Sequence, residues 1–449
     1  MPRPVFVIFN GEIMVQIIET PLHADHRLRR LYQCGVLAAL IFSGNTTHAQ
    51  SRGLTLESAL QLSLQHSALT KAADASVQAS REMVAKSGQL PDPMLKVGID
   101  NLPVNGPDRY SVDRDFMTMR RIGVEQQWVS SDKRAARTER AQRVVDVEEG
   151  NYLTNVAKVR EETAMAWINT LYAQRGLALY KALESETSQD LLAAQAAYRG
   201  AKAAAVDVGQ AQLVLSQTQD RIRKGEQALK SARIGLSRWT TVPVESVAAA
   251  MPPLVSHLAR LPAEELEKIH PTLLTARRAV ALADSDAAVA TRERRPDWTF
   301  EAAFSQRGSQ YSNMVSVGVS IPLPVNPSQR QDRDIAEKSA LATKARLQYE
   351  DAMRELQTDI QEQSSTLDSL NQRVSQLTTE LLPQANQQVE LATAAYRAGT
   401  GNLSAVFNAK KAALEMQLQI LDVEKEAALM WTKLEYHVIP HDFIRRAAP

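Results

Sequence analysis

At 449 residues and a net charge of +1, the chain is long enough for two or three ordinary domains, and it carries no charge excess that would favour nucleic acid or an acidic partner. Aromatic residues are only 5% of the total and glycine is scarce, while Ala, Gln, Leu, Glu and Arg dominate. That balance favours long helices over a sandwich or barrel built entirely of strands.

Residues from about His26 to Gln50 have the layout of a secretory signal. Arg27, Arg29 and Arg30 precede a short apolar run from Gly35 to Phe42, and Thr47-His48-Ala49 offers a small-x-small cleavage site. The only cysteine, Cys34, lies ahead of that run, so the mature chain would hold no disulfide and no thiolate. No other run approaches the roughly 18 apolar residues of a membrane helix.

From Leu54 to about Gly88 the pattern predicts one amphipathic helix, and its register returns roughly 200 residues later. Ala59, Leu62, His66, Leu69, Ala72, Ala75 and Ala79 recur as Ala263, Leu266, His270, Leu273, Ala276, Ala279 and Ala283. Both copies stop at Pro-Asp, Pro91-Asp92 and Pro296-Asp297, where proline blocks continuation. The period then switches to two. Leu95, Val97 and Ile99 alternate with Lys96, Gly98 and Asp100, and Ile122, Val124 and Trp128 oppose Gly123, Glu125 and Gln127. In the second copy Trp298, Phe300, Ala302 and Phe304 form one alternating set, and Val315, Val317, Val319 and Ile321 another. Met117, Met119 and Arg120 confuse the parity and suggest a bulge.

Each half therefore supplies one two-stranded hairpin with one apolar face, of about the strand length that crosses a bilayer at a tilt. Four strands cannot close a transmembrane barrel, and an open edge in lipid leaves backbone groups unpaired. A membrane seat thus requires several copies. A sheet packed on a helix in aqueous surroundings is the other reading of these strands.

Long helical patterns follow each strand pair. The first runs from about Ser131 to Arg199 and returns from about Val206 to Trp239, with Ser130, Ser131 and Asp132 available as caps. The second runs from about Ser328 to Arg397 and returns from Leu403 to about His437. Met353, Leu356, Ile360, Leu367, Leu370, Val374, Leu377 and Leu381 follow a three-four spacing, as antiparallel coiled-coil neighbours do. The organisation is a presequence over 1–49, a first repeat over 50–240 and a connector over 241–262. A second repeat over 263–437 and a tail over 438–449 complete it. The strand hairpins occupy 93–129 and 297–323, and the helical hairpins 131–240 and 328–437.

The duplicated order of helix, strand hairpin and long helical hairpin resembles the TolC family of bacterial outer-membrane channel proteins. Two tips add to the likeness, Ala197-Tyr198-Arg199-Gly200 and Ala395-Tyr396-Arg397-Ala398-Gly399. Leu90-Pro91-Asp92-Pro93, Asn101-Leu102-Pro103 and Met117 to Gly123 look most like its heavy-metal-efflux branch. The resemblance implies a mainly α protomer whose four strands join a trimeric twelve-stranded barrel, continued by a helical barrel across the periplasm. It further implies a homotrimer in the outer membrane, in contact with its lipid and with no nucleic acid. A periplasmic adaptor (membrane-fusion) protein and an inner-membrane pump of the RND type are the implied partners. Such proteins conduct small toxic solutes, heavy-metal cations among them, with no catalysis and no cofactor. A drug or polypeptide exit duct of the same family, and a secreted coiled-coil scaffold, are the alternatives. The chain departs from the family in having Trp128-Val129-Ser130-Ser131, without proline, where the second strand re-enters the helix. Pro383 interrupts only the second copy's long helix.

The tips are the candidate gate. On the first stand Tyr198, Arg199, Asp207 and Gln210, and on the second Tyr396, Arg397, Asn402 and Asn408. The resemblance places an acidic residue facing the axis at Asp207, where three carboxylates would form a cation-attracting ring. A helix cap at the start of the return helix is the equal alternative. Ala405 occupies the matching position of the second tip, so one ring is expected. Arg199 and Arg397 either bridge neighbouring hairpins or lie solvated, and the two tyrosines are placed to pack hairpin on hairpin. His66 and His270 read as structural. Pro440 separates His437 from His441, and Met117 with Met119 reads as packing before metal binding. No nucleophile elbow, phosphate-binding loop, zincin motif or Cys/His cluster occurs, which points away from an enzyme.

Overall fold

A computed structural model describes residues 53–201 and 203–440, with a two-residue antiparallel pairing of Ile8–Phe9 and Glu12–Ile13. The secretory signal, its Ala49 cleavage site, Cys34 and His441 lie outside the described residues. Residues 1–52 and 53–449 form two separate units, and the second holds all the helices among the described residues.

The predicted first helix is two helices. Leu56–His66 (α1) stops at Ser67, whose backbone is extended (φ −59°, ψ 117°), and Ala68–Ser87 (α2) starts there. The Ser67 hydroxyl accepts from the Thr70 N–H at 3.2 Å and so caps α2, which the hydrophobic period alone does not reveal. The second repeat has the same joint at His270, between Ala263–Ile269 (α5) and Pro271–Glu293 (α6), where a proline opens the helix at no hydrogen-bond cost.

Between these stand Met94–Asp100 (β1), Met119–Trp128 (β2), Ser131–Arg199 (α3) and Ala205–Thr240 (α4). After α6 come Trp298–Gln306 (β3), Met314–Ser320 (β4), Gln331–Gln376 (α7), Leu382–Arg397 (α8) and Leu403–Tyr436 (α9). A π-helical turn, Leu377–Leu381, joins α7 to α8. At 69 residues, α3 is about 100 Å long. Ser130 precedes it without a side-chain cap. Instead, Arg134 donates to the Val129 and Gly88 carbonyls, both at 3.3 Å, and ties the helix start to the end of α2.

The four strands form one antiparallel sheet in the order β1-β2-β3-β4, with hairpins from the two repeats meeting at β2 and β3. The register through Met119↔Asp100 and Arg120↔Ile99 is unbroken, so no bulge is present there. Met117 lies in the turn before β2, and only Met119 belongs to the strand.

The core lies where the long helices pass α1, α5 and the connector. Trp167, Ile168, Leu171 and Leu236 form one cluster with Val244 and Val247 of the connector, and Leu266, Leu367, Trp431 and Leu434 anchor another. Each cluster fixes the connecting chain through an indole. Trp167 Nε1 donates to the Leu54 carbonyl at 2.7 Å, and Trp431 Nε1 to the Val255 carbonyl at 3.2 Å. Leu54 also makes a parallel bridge with Val247. The connector is therefore part of the core.

Candidate functional site

Two regions carry the candidate chemistry, the sheet and the hairpin tips. Alternation puts Leu95 and Val97 of β1 in register with Val124 and Ile122 of β2, and these with Ala302 and Phe304 of β3, while Ile99 lies opposite Arg120. Phe300, Ala302 and Phe304 in turn oppose Val319, Val317 and Val315 of β4. Apart from Gln126, and from Arg120 and Gln306 at its far end, this face is apolar and open: Val97, Val315 and Val317 are 74%, 75% and 81% exposed. Trp128 and Trp298 pair at the end of the face nearest the helices.

The opposite face is a lattice of charge. Lys96 pairs with Glu125 and lies 3.5 Å from Glu301, while Arg121 pairs with Glu301 and lies 3.5 Å from Asp100. Small residues share this face. A Cβ on Gly123 would come within 2.8 Å of the Ala303 Cβ, so β2 and β3 touch where glycine leaves room. One face suits hydrocarbon, and the other suits water.

At the first tip Ala204 has no side-chain acceptor, and Asp207 caps the helix from within. Its Oδ2 accepts from the Ala204 N–H at 3.0 Å. The second tip does the reverse, with Asn402 Oδ1 accepting from the Ala405 N–H at 2.8 Å. Asp207 thus makes the cap, and its carboxylate remains half-buried. Tyr198, Arg199, Arg397, Asn402 and Asn408 are exposed. Tyr396 packs against the cluster of Leu191, Ala194, Ala211, Leu403 and Phe407, which holds the two hairpins together. Gln210 accepts from the Ser404 hydroxyl at 3.4 Å, and Lys410 donates to Asp190 at 2.6 Å. These cross-hairpin contacts link residues about 200 positions apart, out of reach of local pattern reading.

His66 is exposed on the last turn of α1, whereas His270 is buried, and burial pushes its imidazole down to about 4 with a further push from His437. The two rings meet edge to face at 6.1 Å, and His437 Nε2 lies 2.9 Å from Glu161. Among the described residues no group of three or more His, Cys, Asp or Glu is placed to hold a metal ion. Among them, too, no helix is long and apolar enough to cross a membrane.

Residues 263–435 match the outer membrane efflux protein family. No curated protein sequence matches the chain. Several solved structures share its fold. A membrane protein from Pseudomonas aeruginosa aligns at TM-score 0.74 and 15% identity, covering 86% of this chain and 91% of that one. CusC, studied for its folding and transmembrane channel formation, aligns at 0.73 and 15%, covering 85% and 91%. The outer-membrane channel OprN aligns at 0.71 and 17%, covering 85% and 89%. The second half of the chain thus carries the sequence pattern of the outer membrane efflux proteins, and the chain as a whole has the TolC-like fold of such channels.

Proposed function

We propose that the chain is the exit-duct subunit of a tripartite efflux system. Three copies close a twelve-stranded barrel in the outer membrane, and their helical hairpins reach into the periplasm. The observation that carries this reading is the sheet. It exposes a largely apolar face to one side, carries a charged lattice on the other, and among the described residues leaves the outer edges of β1 and β4 without a strand partner. In lipid those edges demand partners, and β4 of one copy beside β1 of the next provides them. A secreted scaffold has no use for a greasy band on the side away from its charges.

The cargo is small toxic solutes, heavy-metal cations among them. The protein supplies a passive polar path, and a conduit needs no tight metal site because tight binding slows release. A periplasmic adaptor docks at the tips, and an inner-membrane pump of the RND type provides the energy. Asp207 from three copies lines the closed end, while Tyr198, Arg199, Tyr396 and Arg397 set the contacts between neighbouring hairpins. The test is conductance of the detergent-purified mature protein in a planar lipid bilayer. Discrete channels are expected. A monomer that stays in aqueous solution and never conducts would overturn the reading.

A further inference from the structure

Helix α6 ends at Glu293, the chain passes through Pro296 into β3, and a groove of about 830 Å³ opens at that turn. It is lined by Trp128, Ser130, Arg295, Pro296, Trp298 and Phe300. Trp128 and Trp298 are direct cross-strand partners, about half exposed at 52% and 49%. Phe300 follows Trp298 on the same face, with ring centroids 6.3 Å apart. The groove therefore continues the apolar face of the sheet at its helix-proximal end.

Its rim is cationic. The Arg295 side chain is 78% exposed, and it lies 3.6 Å from Asp132, which stands at the same distance from Arg292. Two guanidiniums share one carboxylate, so positive charge is in surplus beside three aromatic rings. An aromatic belt by itself needs no cation over it. A guanidinium at the rim of a groove lined by indoles has the chemistry of phosphate recognition, because its fork donates two parallel N–H bonds while the rings accept glycerol and chain carbons.

The geometry points to a phospholipid site in this groove: the phosphodiester on Arg295, the glycerol on Trp128 and Trp298, and the acyl chains along Phe300 and Val319. The volume is within the range of ligand pockets, about 300–1,000 Å³. Val319 lies opposite Phe300 and is 55% exposed, so the chains pass from the groove onto the open face. The inference rests on the proposed membrane seat of the sheet, whose helix-proximal end faces the periplasmic leaflet.

The delipidated full assembly in detergent would be titrated with dioleoyl phosphatidylglycerol, and retained lipid counted by native mass spectrometry. Dioleoylglycerol, with the same chains and no phosphate, serves as the second arm on the unaltered protein. We expect one phosphatidylglycerol per protomer, and affinity lower by about tenfold or more for dioleoylglycerol and for Arg295→Ala. Arg295→Lys, which keeps charge but loses the fork, should fall between, and it stands in if the alanine variant does not assemble. Equal retention of the two lipids, or retention unchanged in both variants, would overturn the site and leave only annular lipid. Conductance of the same preparations separates the two failures. Channels without phosphate-dependent retention sink the site alone, whereas no channels and no lipid of either kind sink the membrane seat with it.

Discussion

Lys133 and Asp297 form the most enclosed ion pair among the described residues, at 4% and 15% side-chain exposure and 2.7 Å from Nζ to Oδ1. Lys133 is in the first turn of α3 and Asp297 directly precedes β3, so the pair joins the first repeat's helix to the second repeat's strand. A cation at a helix N-terminus is itself unfavourable, which makes Lys133 more dependent on its carboxylate. Lys133→Met strands the buried carboxylate and Asp297→Leu strands the ammonium, each at a cost of about 3–5 kcal/mol. Removing both leaves no orphan charge, so the double variant should be within about 1 kcal/mol of the parent or more stable. The cycle is read from denaturant unfolding in detergent followed by circular dichroism, with equal slopes required across the four proteins. Single variants that cost under about 0.5 kcal/mol, or a double variant as unstable as the two losses added, would refute the argument.

At the first tip, Asp207→Asn keeps an acceptor for the Ala204 N–H but removes the charge, while Asp207→Ala removes both. Cation selectivity in bilayers should weaken in both, and the alanine variant alone should lose about 1 kcal/mol of local stability by hydrogen exchange. Identical selectivity in all three would leave Asp207 as a cap only. His270, held at about 4 in the folded protein against an ordinary 6.5, takes up its proton more readily once unfolded. Its contribution is therefore complete above about pH 6.5 and is lost as the pH falls toward 4, a span of about 3 kcal/mol. His270→Gln should flatten melting temperature against pH over that window, and an unchanged slope would count against it. Gly123→Val drives a side chain into Ala303 and should cost about 1–3 kcal/mol by denaturant unfolding, with assembly reduced on a native gel. Wild-type stability and assembly would show that the strands can part there.

The helical and strand periods were legible because each face is chemically uniform. Leu95, Val97 and Ile99 leave no doubt about parity, and seven repeat matches expose the duplication. Met119 and Arg120 confuse the parity because Arg120 sits beside Gln306 on the mostly apolar face at the sheet's far end, where a charged residue breaks the alternation without breaking the ladder. Joints such as Ser67 were hidden, since one residue of extended backbone between two helices barely disturbs a 3.6-residue period. The roles of Trp167 and Trp431 were hidden for another reason: each depends on a carbonyl more than 100 residues away. At the tips, a capping role was readable for Asp207 but not for Asn402, whereas Lys410–Asp190 and Ser404–Gln210 belong to tertiary packing.

The two copies of the unit are not held equally, and Pro383 is the cause with the clearest chemistry. It is the second residue of α8, lacks an N–H, and its ring would meet the carbonyl of Thr379 in a regular helix. The chain avoids the clash by widening into the π turn Leu377–Leu381, where the Leu382 N–H returns to the Leu377 carbonyl five residues back. In the first repeat the corresponding stretch of α3 is continuous, and Thr187, Leu191 and Ala194 are buried, whereas α8 buries none of its residues. Wide hydrogen bonds and absent burial both lower the cost of local opening, so α8 opens more readily than the matching stretch of α3. Pro383→Ala restores one backbone bond, about 1 kcal/mol, and should slow amide exchange around 377–388 about fivefold while leaving 185–195 unchanged. If the two stretches exchange at the same rate in the parent, or the substitution changes nothing, the π turn is a passive accommodation of proline and the asymmetry has no dynamic consequence.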